Sequence, residues 1–567
     1  MGATDALGQQ TAWAYDAGGQ VVAQRDPRGN SYDLSYSYDA LGRQTRVESA
    51  QLTAPIVTAY NGQGQRQSLQ DATGTTSFSY DALGRLTGVT APDTGTVGYG
   101  YSARGERIAL TYPDTTQVAY AYWPDGQLQT VTQGGAVLAS YTYDTTGRLD
   151  VVTRANGATT SSAYDGADRL TALHTTVGGS TVSRFQYTVD RLGLRTGVTE
   201  TLLPTGTRSI SYTYDGLLRL TGAVESTGAS YAYDYDLAGN RTSVTANGST
   251  TTTAYNAANQ VAGWSYDAAG NLLNDGTSTS TYDALGRMTS RNGTSYRYNG
   301  DGVLVAQTAA GNATRYTQDL VSSLSMVLND GSANYIYGHE RLGAQAGGTT
   351  TWYGTDALGS VRQVLDNAGI PFGTASYDPW GMPQGSAISP FGFTGELQDA
   401  AGLTYLRARW YTSIYGVLLG RDPFAGWPEQ PYSLHPFQYG YSNPVNNSDP
   451  SGKIVIFFHG GWDDTSLDPL ITELKPGING DILELKANDT STAYKALERF
   501  NNSLICLAES IILIGYSRGG ASVQAVANTM SNFAPLMKIQ LAITIAPVEF
   551  GPGPTHLIRG GKAESAD

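Results

Sequence analysis

Thr76-Ser77-Phe78-Ser79-Tyr80-Asp81-Ala82-Leu83-Gly84-Arg85 decides the fold. Its first half alternates and ends on an aromatic ring, the pattern of a strand. Its second half is a turn: Asp can hold the backbone ahead of it, and Gly accepts a positive φ. The same Tyr-Asp-x-x-Gly-Arg unit stands at Tyr38-Asp39-Ala40-Leu41-Gly42-Arg43, at Tyr143 to Arg148 and at Tyr282 to Arg287. Degenerate copies start at Tyr15, Tyr60, Tyr101, Tyr122, Tyr164, Tyr187, Tyr214, Tyr235, Tyr255, Tyr266 and Tyr298. From Tyr80 to Tyr164 the step is 21 residues each time, a period that belongs to repeat arrays. Each repeat therefore reads as strand, tight turn, strand. An array of such hairpins makes one long sheet that must curl or close to bury a face. The Tyr packs on that sheet and the Asp shapes its turn, so neither is expected to catalyse.

Composition narrows the classes. The 567 residues include 69 Gly, and 38 Tyr against 12 Phe, while charged residues make up 15%. That excludes a coiled coil or long-helix protein. A net charge of −14 and a pI near 4.8 exclude a basic nucleic-acid binder, so no nucleic-acid partner is expected. A 40% hydrophobic content excludes full disorder. Cys506 is the lone cysteine, so no internal disulfide forms. No apolar run reaches membrane-spanning length. Residues 1–25 carry no Sec-type signal pattern, which leaves export by a non-Sec route or as part of a longer protein. No cofactor and no metal site are expected.

On its Tyr-Asp units the chain, over residues 1 to about 453, resembles the Rhs/YD-repeat family. These are bacterial polymorphic toxins related to the C components of ABC toxins and to the extracellular teneurins. The resemblance implies that the hairpins spiral into a hollow shell, or cocoon, around a variable C-terminal toxin. The sequence enters the pattern partway, so the expected shell is incomplete or a fragment.

From about residue 351 the text becomes rich in aromatics, Gly and Pro. It includes Trp352-Tyr353-Gly354-Thr355-Asp356-Ala357-Leu358-Gly359, Tyr377-Asp378-Pro379-Trp380-Gly381, and Phe393-Thr394-Gly395-Glu396. Gly402 to Tyr411, Gly420-Arg421-Asp422-Pro423, Asn443-Pro444-Val445 and Asp449-Pro450-Ser451-Gly452-Lys453 follow. The carboxylates suggest chemistry. Asp422 and Asp449 each precede Pro, which restricts both to extended or turn backbone. Two neighbouring carboxyls do not both ionise easily, so one keeps a proton while the other activates water. Read without further context, the two Asp-Pro pairs are first of all turn formers. As a set the motifs are similar to the Rhs-associated core domain. That resemblance implies self-cleavage just after the Asp-Pro-x-Gly motif, carried here by Arg409, Asp422 and Asp449, with Lys453–Ile454 as the scissile bond. Ala357 stands where the family commonly has His, and Lys453 where an apolar residue is commoner.

Beyond Lys453 the grammar changes. Ile454 to Phe458, residues 481–486, Ile511 to Ile514 and Ile539 to Ile545 read as strands, the apolar runs among them being of the buried kind. Residues 465–474, 491–509 and 519–531 read as helices. The alternation predicts a small α/β domain with a parallel sheet. Gly515-Tyr516-Ser517-Arg518-Gly519 places a G-x-S-x-G between strand and helix, as a nucleophile elbow requires. With His459-Gly460-Gly461 upstream, the tail resembles lipase- and esterase-like α/β-hydrolases. In that reading Ser517 is the nucleophile, His556 the base and Glu549 the acid. The N–H groups of Arg518 and of Gly460 or Gly461 hold the oxyanion. Ala546 stands where such folds often carry the acid, and the tail ends before the usual last strands, so an inactive, truncated hydrolase remains an alternative.

The expected organisation is mostly β: a YD/Rhs-repeat shell over 1–350, a core domain with its self-cleavage motif over 351–453, and a truncated α/β-hydrolase-like domain over 454–567. The leading function is a toxin used in interbacterial competition, whose shell cleaves off a serine-hydrolase effector acting on an ester or lipid. Its expected partners are an immunity protein and a secretion-system or toxin-complex component, and its expected place is secreted or on the cell surface of a bacterium. The alternative is a structural or adhesive surface protein with an inactive tail.

Overall fold

In the computed structural model, residues 1–322, 324–424 and 431–453 are described, together with four short strands of the tail. The chain divides into two units, Met1–Val455 with Thr465–Asp481, and Ile456–Asp464 with Ile482–Asp567.

The first unit is built from antiparallel strands. Twenty-four of them, from Gly2–Thr4 to Ser249–Thr252, form one sheet in which each strand pairs with the next in sequence. Helix among the described residues is confined to short 3-10 turns such as Asn30–Tyr32 and Gly440–Ser442. The expectation of a mostly β hairpin array therefore holds.

Each letter of the repeat has a physical task. At Asp81 the side-chain Oδ1 accepts the N–H groups of Leu83 and Arg85, both at 2.9 Å, while Arg85 Nε donates to Oδ2 at 2.7 Å. Gly84 closes the turn at φ +83°, where a β-carbon would be strained. Tyr80 opens the turn at a register shift in the ladder that leaves Thr87 as the extra residue. The hydroxyl of the following repeat's Tyr binds the carbonyl just before that extra residue. Tyr101 donates to the Leu86 carbonyl at 2.8 Å, Tyr60 to Gln44 at 3.0 Å and Tyr235 to Leu220 at 2.6 Å. Phe has no hydroxyl to give, which accounts for the excess of Tyr. The repeat's Arg then lies over that same ring: Arg43 sits 4.4 Å from the Tyr60 centroid and Arg85 5.0 Å from that of Tyr101.

The sheet buries one face under a second layer made by the chain's return. Strands from Ser280–Tyr282 to Asn312–Arg315 form a five-stranded sheet, and those from Thr317–Asp319 to Pro371–Thr374 a seven-stranded one. Leu69, Leu110, Val131 and Tyr141 of the long sheet share a buried cluster with Leu304, Leu342, Trp352 and Leu419. The return follows the array in order. Arg28 donates to the carbonyls of Asp283 and Ala284, Arg66 pairs with Asp301, Arg107 with Asp319, and Arg154 with Glu340. Further along, Arg362 pairs with the buried Glu200 at 2.8 Å, and Arg195 donates to the Val445 carbonyl at 2.8 Å. The strand Thr349–Thr355 runs across position 350.

In the second unit, Ile456–Phe457 pairs in parallel with Leu483–Glu484, and Ile511–Tyr516 pairs in parallel with Ile539–Ile545. The helices expected at 465–474, 491–509 and 519–531 lie outside the described residues.

Candidate functional site

The site forms around one hairpin. Leu403–Leu406 pairs with Arg409–Thr412, and all eight residues are buried. Arg407 turns the hairpin at φ +58°. Its guanidinium is held by Glu396 and donates to the Pro450 carbonyl at 2.8 Å, so the turn grips the Asp449–Gly452 segment. Ala408 adds a backbone N–H to the Ser451 carbonyl at 3.1 Å. Gly452 is required at this crossing: its φ is +65°, and a β-carbon would lie 2.3 Å from the Leu406 carbonyl oxygen.

Arg409 is the centre. Its Nη2 donates to Asp422 Oδ2 at 2.7 Å and lies 3.5 Å from Asp449 Oδ2. Nη1 donates to the Pro436 carbonyl at 2.9 Å, and Nε donates to the Gly452 carbonyl. One buried guanidinium thus joins both carboxyls to the backbone immediately before Lys453. A planar fork of fixed donors suits this task, whereas Lys would offer a single point charge. Asp422 is fixed from both sides: its own N–H donates to the Pro436 carbonyl, and its Oδ1 accepts the Phe424 N–H, both at 2.9 Å.

Burial sets the electrostatics. It pushes the Asp449 carboxyl up to about 6; Arg409 pulls the other way and Asp422 adds to the rise. Burial also raises Asp422, opposed by Arg409 and by Lys453. The pair therefore favours a state with one proton and one negative charge, which Arg409 neutralises. Nearby His435 is buried against Asn240, with Nε2 2.7 Å from its Oδ1, and burial lowers its pKa to about 4, so it is neutral.

The three residues singled out in the sequence of the first unit, Arg409, Asp422 and Asp449, thus meet at one point. Two participants were missed. Ser451 has its Oγ 3.1 Å from Asp449 Oδ1 and 2.7 Å from the Lys453 carbonyl oxygen. Arg407 positions the whole segment. A hydroxyl between the Asp-Pro and Lys453, and a second Arg two residues before Arg409, were the available signals. Of the tail residues, Gly460, Gly461, Ser517, Arg518, Glu549 and His556 lie outside the described residues. The strand Ile511–Tyr516 ends immediately before Ser517. Among the described residues no cluster of metal-ligating side chains occurs, and no helix is long and apolar enough to cross a membrane.

Comparison with known proteins gives two family matches. The Teneurin YD-shell family matches residues 34–134 and 142–445, and the RHS Repeat family matches residues 2–31. The tRNA3(Ser)-specific nuclease WapA of Bacillus spizizenii is 30% identical over 272 residues, covering 43% of this chain and 12% of that protein. The tRNA nuclease WapA of Bacillus subtilis is 29% identical over 272 residues with the same coverage. The chain thus spans about an eighth of the length of these relatives. Among solved structures, the TcdB2–TccC3–Cdc42 crystal structure superposes with a TM-score of 0.54 at 18% identity, covering 78% of this chain and 30% of that one. The Photorhabdus luminescens Tc holotoxin pore gives a TM-score of 0.54 at 18% identity, covering 78% and 29%. At that identity the likeness is one of fold.

Proposed function

This chain belongs to the Teneurin YD-shell family, and on that premise we propose that it is a secreted bacterial toxin whose shell cuts its own backbone after Lys453. The observation that carries the reading is the Arg409 guanidinium, which holds Asp422, Asp449 and the Gly452 carbonyl together. A carboxyl pair sharing one proton supplies a base for water and an acid for the amide. The buried guanidinium keeps the shared negative charge in place. The segment 1–350 acts as shell, 351–453 as the core domain bearing the cut, and 454–567 as the released effector. Release after Lys453 would separate fragments of about 453 and 114 residues. The test is a denaturing gel of freshly synthesised chain: wild type should split, while Asp422→Asn and Asp449→Asn should each leave one band. A wild type that stays whole from mildly acidic to neutral pH would refute the reading.

For the effector we favour a serine hydrolase acting on an ester or lipid. Two features support it: the parallel pairing of Ile511–Tyr516 with Ile539–Ile545, and the G-x-S-x-G that closes the first of these strands. Ser517 would attack the carbonyl, His556 would take its proton and Glu549 would orient the imidazole, with Gly460, Gly461 and Arg518 around the oxyanion. A second reading is a nuclease tail, since the curated relatives are tRNA nucleases. Residues 454–567 carry twelve carboxylates against eight Lys and Arg, a poor balance for gripping a phosphate backbone. Hydrolysis of short- and long-chain esters that disappears in Ser517→Ala supports the first reading; tRNA cleavage indifferent to Ser517 supports the second. An immunity protein for the producing cell, a secretion-system or toxin-complex partner and a non-Sec export route complete the proposal.

A further inference from the structure

Resting on the self-cleavage reading, we propose that Ser451 relays a proton from Asp449 to the Lys453 carbonyl, which makes Asp449 the acid and Asp422 the base. The geometry is specific. Ser451 Oγ lies 2.7 Å from the Lys453 carbonyl oxygen, accepts the Lys453 N–H at 3.0 Å, and lies 3.1 Å from Asp449 Oδ1. A hydroxyl has one proton to donate and two lone pairs to accept with. The shorter contact takes the proton, so Ser451 donates to the carbonyl. Its lone pairs then receive the Lys453 N–H and the proton of a neutral Asp449. The chain Asp449–Ser451–Lys453 carbonyl runs in one direction and leaves no partner unsatisfied.

Among the described residues the second carboxyl shows no such route. Asp422 Oδ2 faces Arg409 and its Oδ1 faces the Phe424 N–H. Bound directly to the guanidinium, it is the better placed of the two to hold the negative charge. The groups facing Asp449 are Arg409 from the hairpin, Asp422, Ser451 from its own segment and Tyr439 from the neighbouring turn; Lys453 acts on Asp422.

The step balances. Water attacks the Lys453 carbonyl carbon and gives one proton to the Asp422 carboxylate. Asp449 gives its proton to Ser451 as the Ser451 proton passes to the carbonyl oxygen, forming a gem-diol. On collapse, Asp422 returns its proton to the departing amine and the C–N bond breaks. One diol proton passes back through Ser451 to Asp449. The products are the carboxylic acid of Lys453 and a free amine on the tail.

The experiment follows processing of the full chain made by cell-free synthesis, quenched into denaturant and read on a gel. Ser451→Ala is expected to slow cleavage about a hundredfold, the usual loss on removing a donor at a reacting carbonyl. Ser451→Thr keeps a hydroxyl and is expected to restore most of the rate. Severing the relay should also flatten the alkaline fall of the pH–rate profile that a protonated Asp449 imposes. If Ser451→Ala matches wild type, or if it slows cleavage without rescue by Thr and with an unchanged pH profile, the relay is wrong. The parent reading fails separately, when wild type does not cleave or when Asp422→Asn cleaves as wild type does.

Discussion

Replacing Gly452 by Ala should stop the cut while leaving the shell intact. The new methyl carbon would lie 2.3 Å from the Leu406 carbonyl oxygen and 2.8 Å from the Arg409 nitrogen. Both are backbone atoms of a buried hairpin, so they cannot swing aside as a side chain would. The left-handed φ of +65° adds about 1–2 kcal/mol of strain for an L side chain. To relieve the clash the Asp449–Lys453 segment must retreat from the hairpin by roughly 1 Å, a displacement able to cost about a hundredfold in rate. That movement breaks the Arg409–Gly452 contact and draws Asp449, with the Lys453 carbonyl, away from Arg409. The matched control is Gly402→Ala, which meets the same kind of strain at φ +78° with nothing within 4 Å of the added carbon. A time course of cell-free product on a denaturing gel should show slow or absent processing for Gly452→Ala and near wild-type processing for Gly402→Ala. Equal rates for wild type and Gly452→Ala would refute the claim that close approach of this segment to Arg409 sets the reaction.

Tyr101→Phe keeps the ring under Arg85 but removes the 2.8 Å bond to the Leu86 carbonyl. Hydrogen exchange in the strands Leu86–Ala91 and Gly95–Tyr101 should accelerate about fivefold, the equivalent of ~1 kcal/mol of local stability, and unchanged exchange would contradict the role given to the hydroxyl. The cut should depend on pH in a defined direction. Burial raises the Asp449 carboxyl to about 6, so the acid form persists below that value and is lost above it. Cleavage should therefore fall as pH rises from 6 to 8, by roughly tenfold per unit, and a rate that climbs over this range would oppose the assignment. A fluorophosphonate probe should label the 454–567 tail, released or still attached, and Ser517→Ala should abolish the label; labelling that survives the substitution would remove Ser517 from the nucleophile's role.

The repeat was open to direct reading because each hairpin is local. Turn chemistry at Asp81 and Gly84 and the alternation before Tyr80 involve residues within a few positions of one another, so the strand–turn–strand unit follows from the sequence. Its stacking partners do not. That Arg85 covers the ring of Tyr101, and that Tyr101 donates to the carbonyl beside the previous bulge, depends on how consecutive hairpins are offset. The return layer was hidden more deeply. Pairs such as Arg28 with Asp283 and Arg362 with Glu200 join residues more than 150 positions apart and follow no local pattern. Arg409, Asp422 and Asp449 were picked out by their motifs, and their meeting on one guanidinium needed the fold. Ser451 was passed over because a Ser beside Asp-Pro reads as ordinary turn chemistry; its meaning comes from a single distance to the Lys453 carbonyl.

The most direct measurement of the central claim is the intact mass of the full chain after synthesis, with the N-terminal residue of any smaller product identified. A shell fragment ending at Lys453 and a tail fragment beginning at Ile454 are expected, both absent when Asp422 or Asp449 is changed to Asn. A single uncut mass for the wild type, or a cut elsewhere that persists in both variants, would contradict that claim.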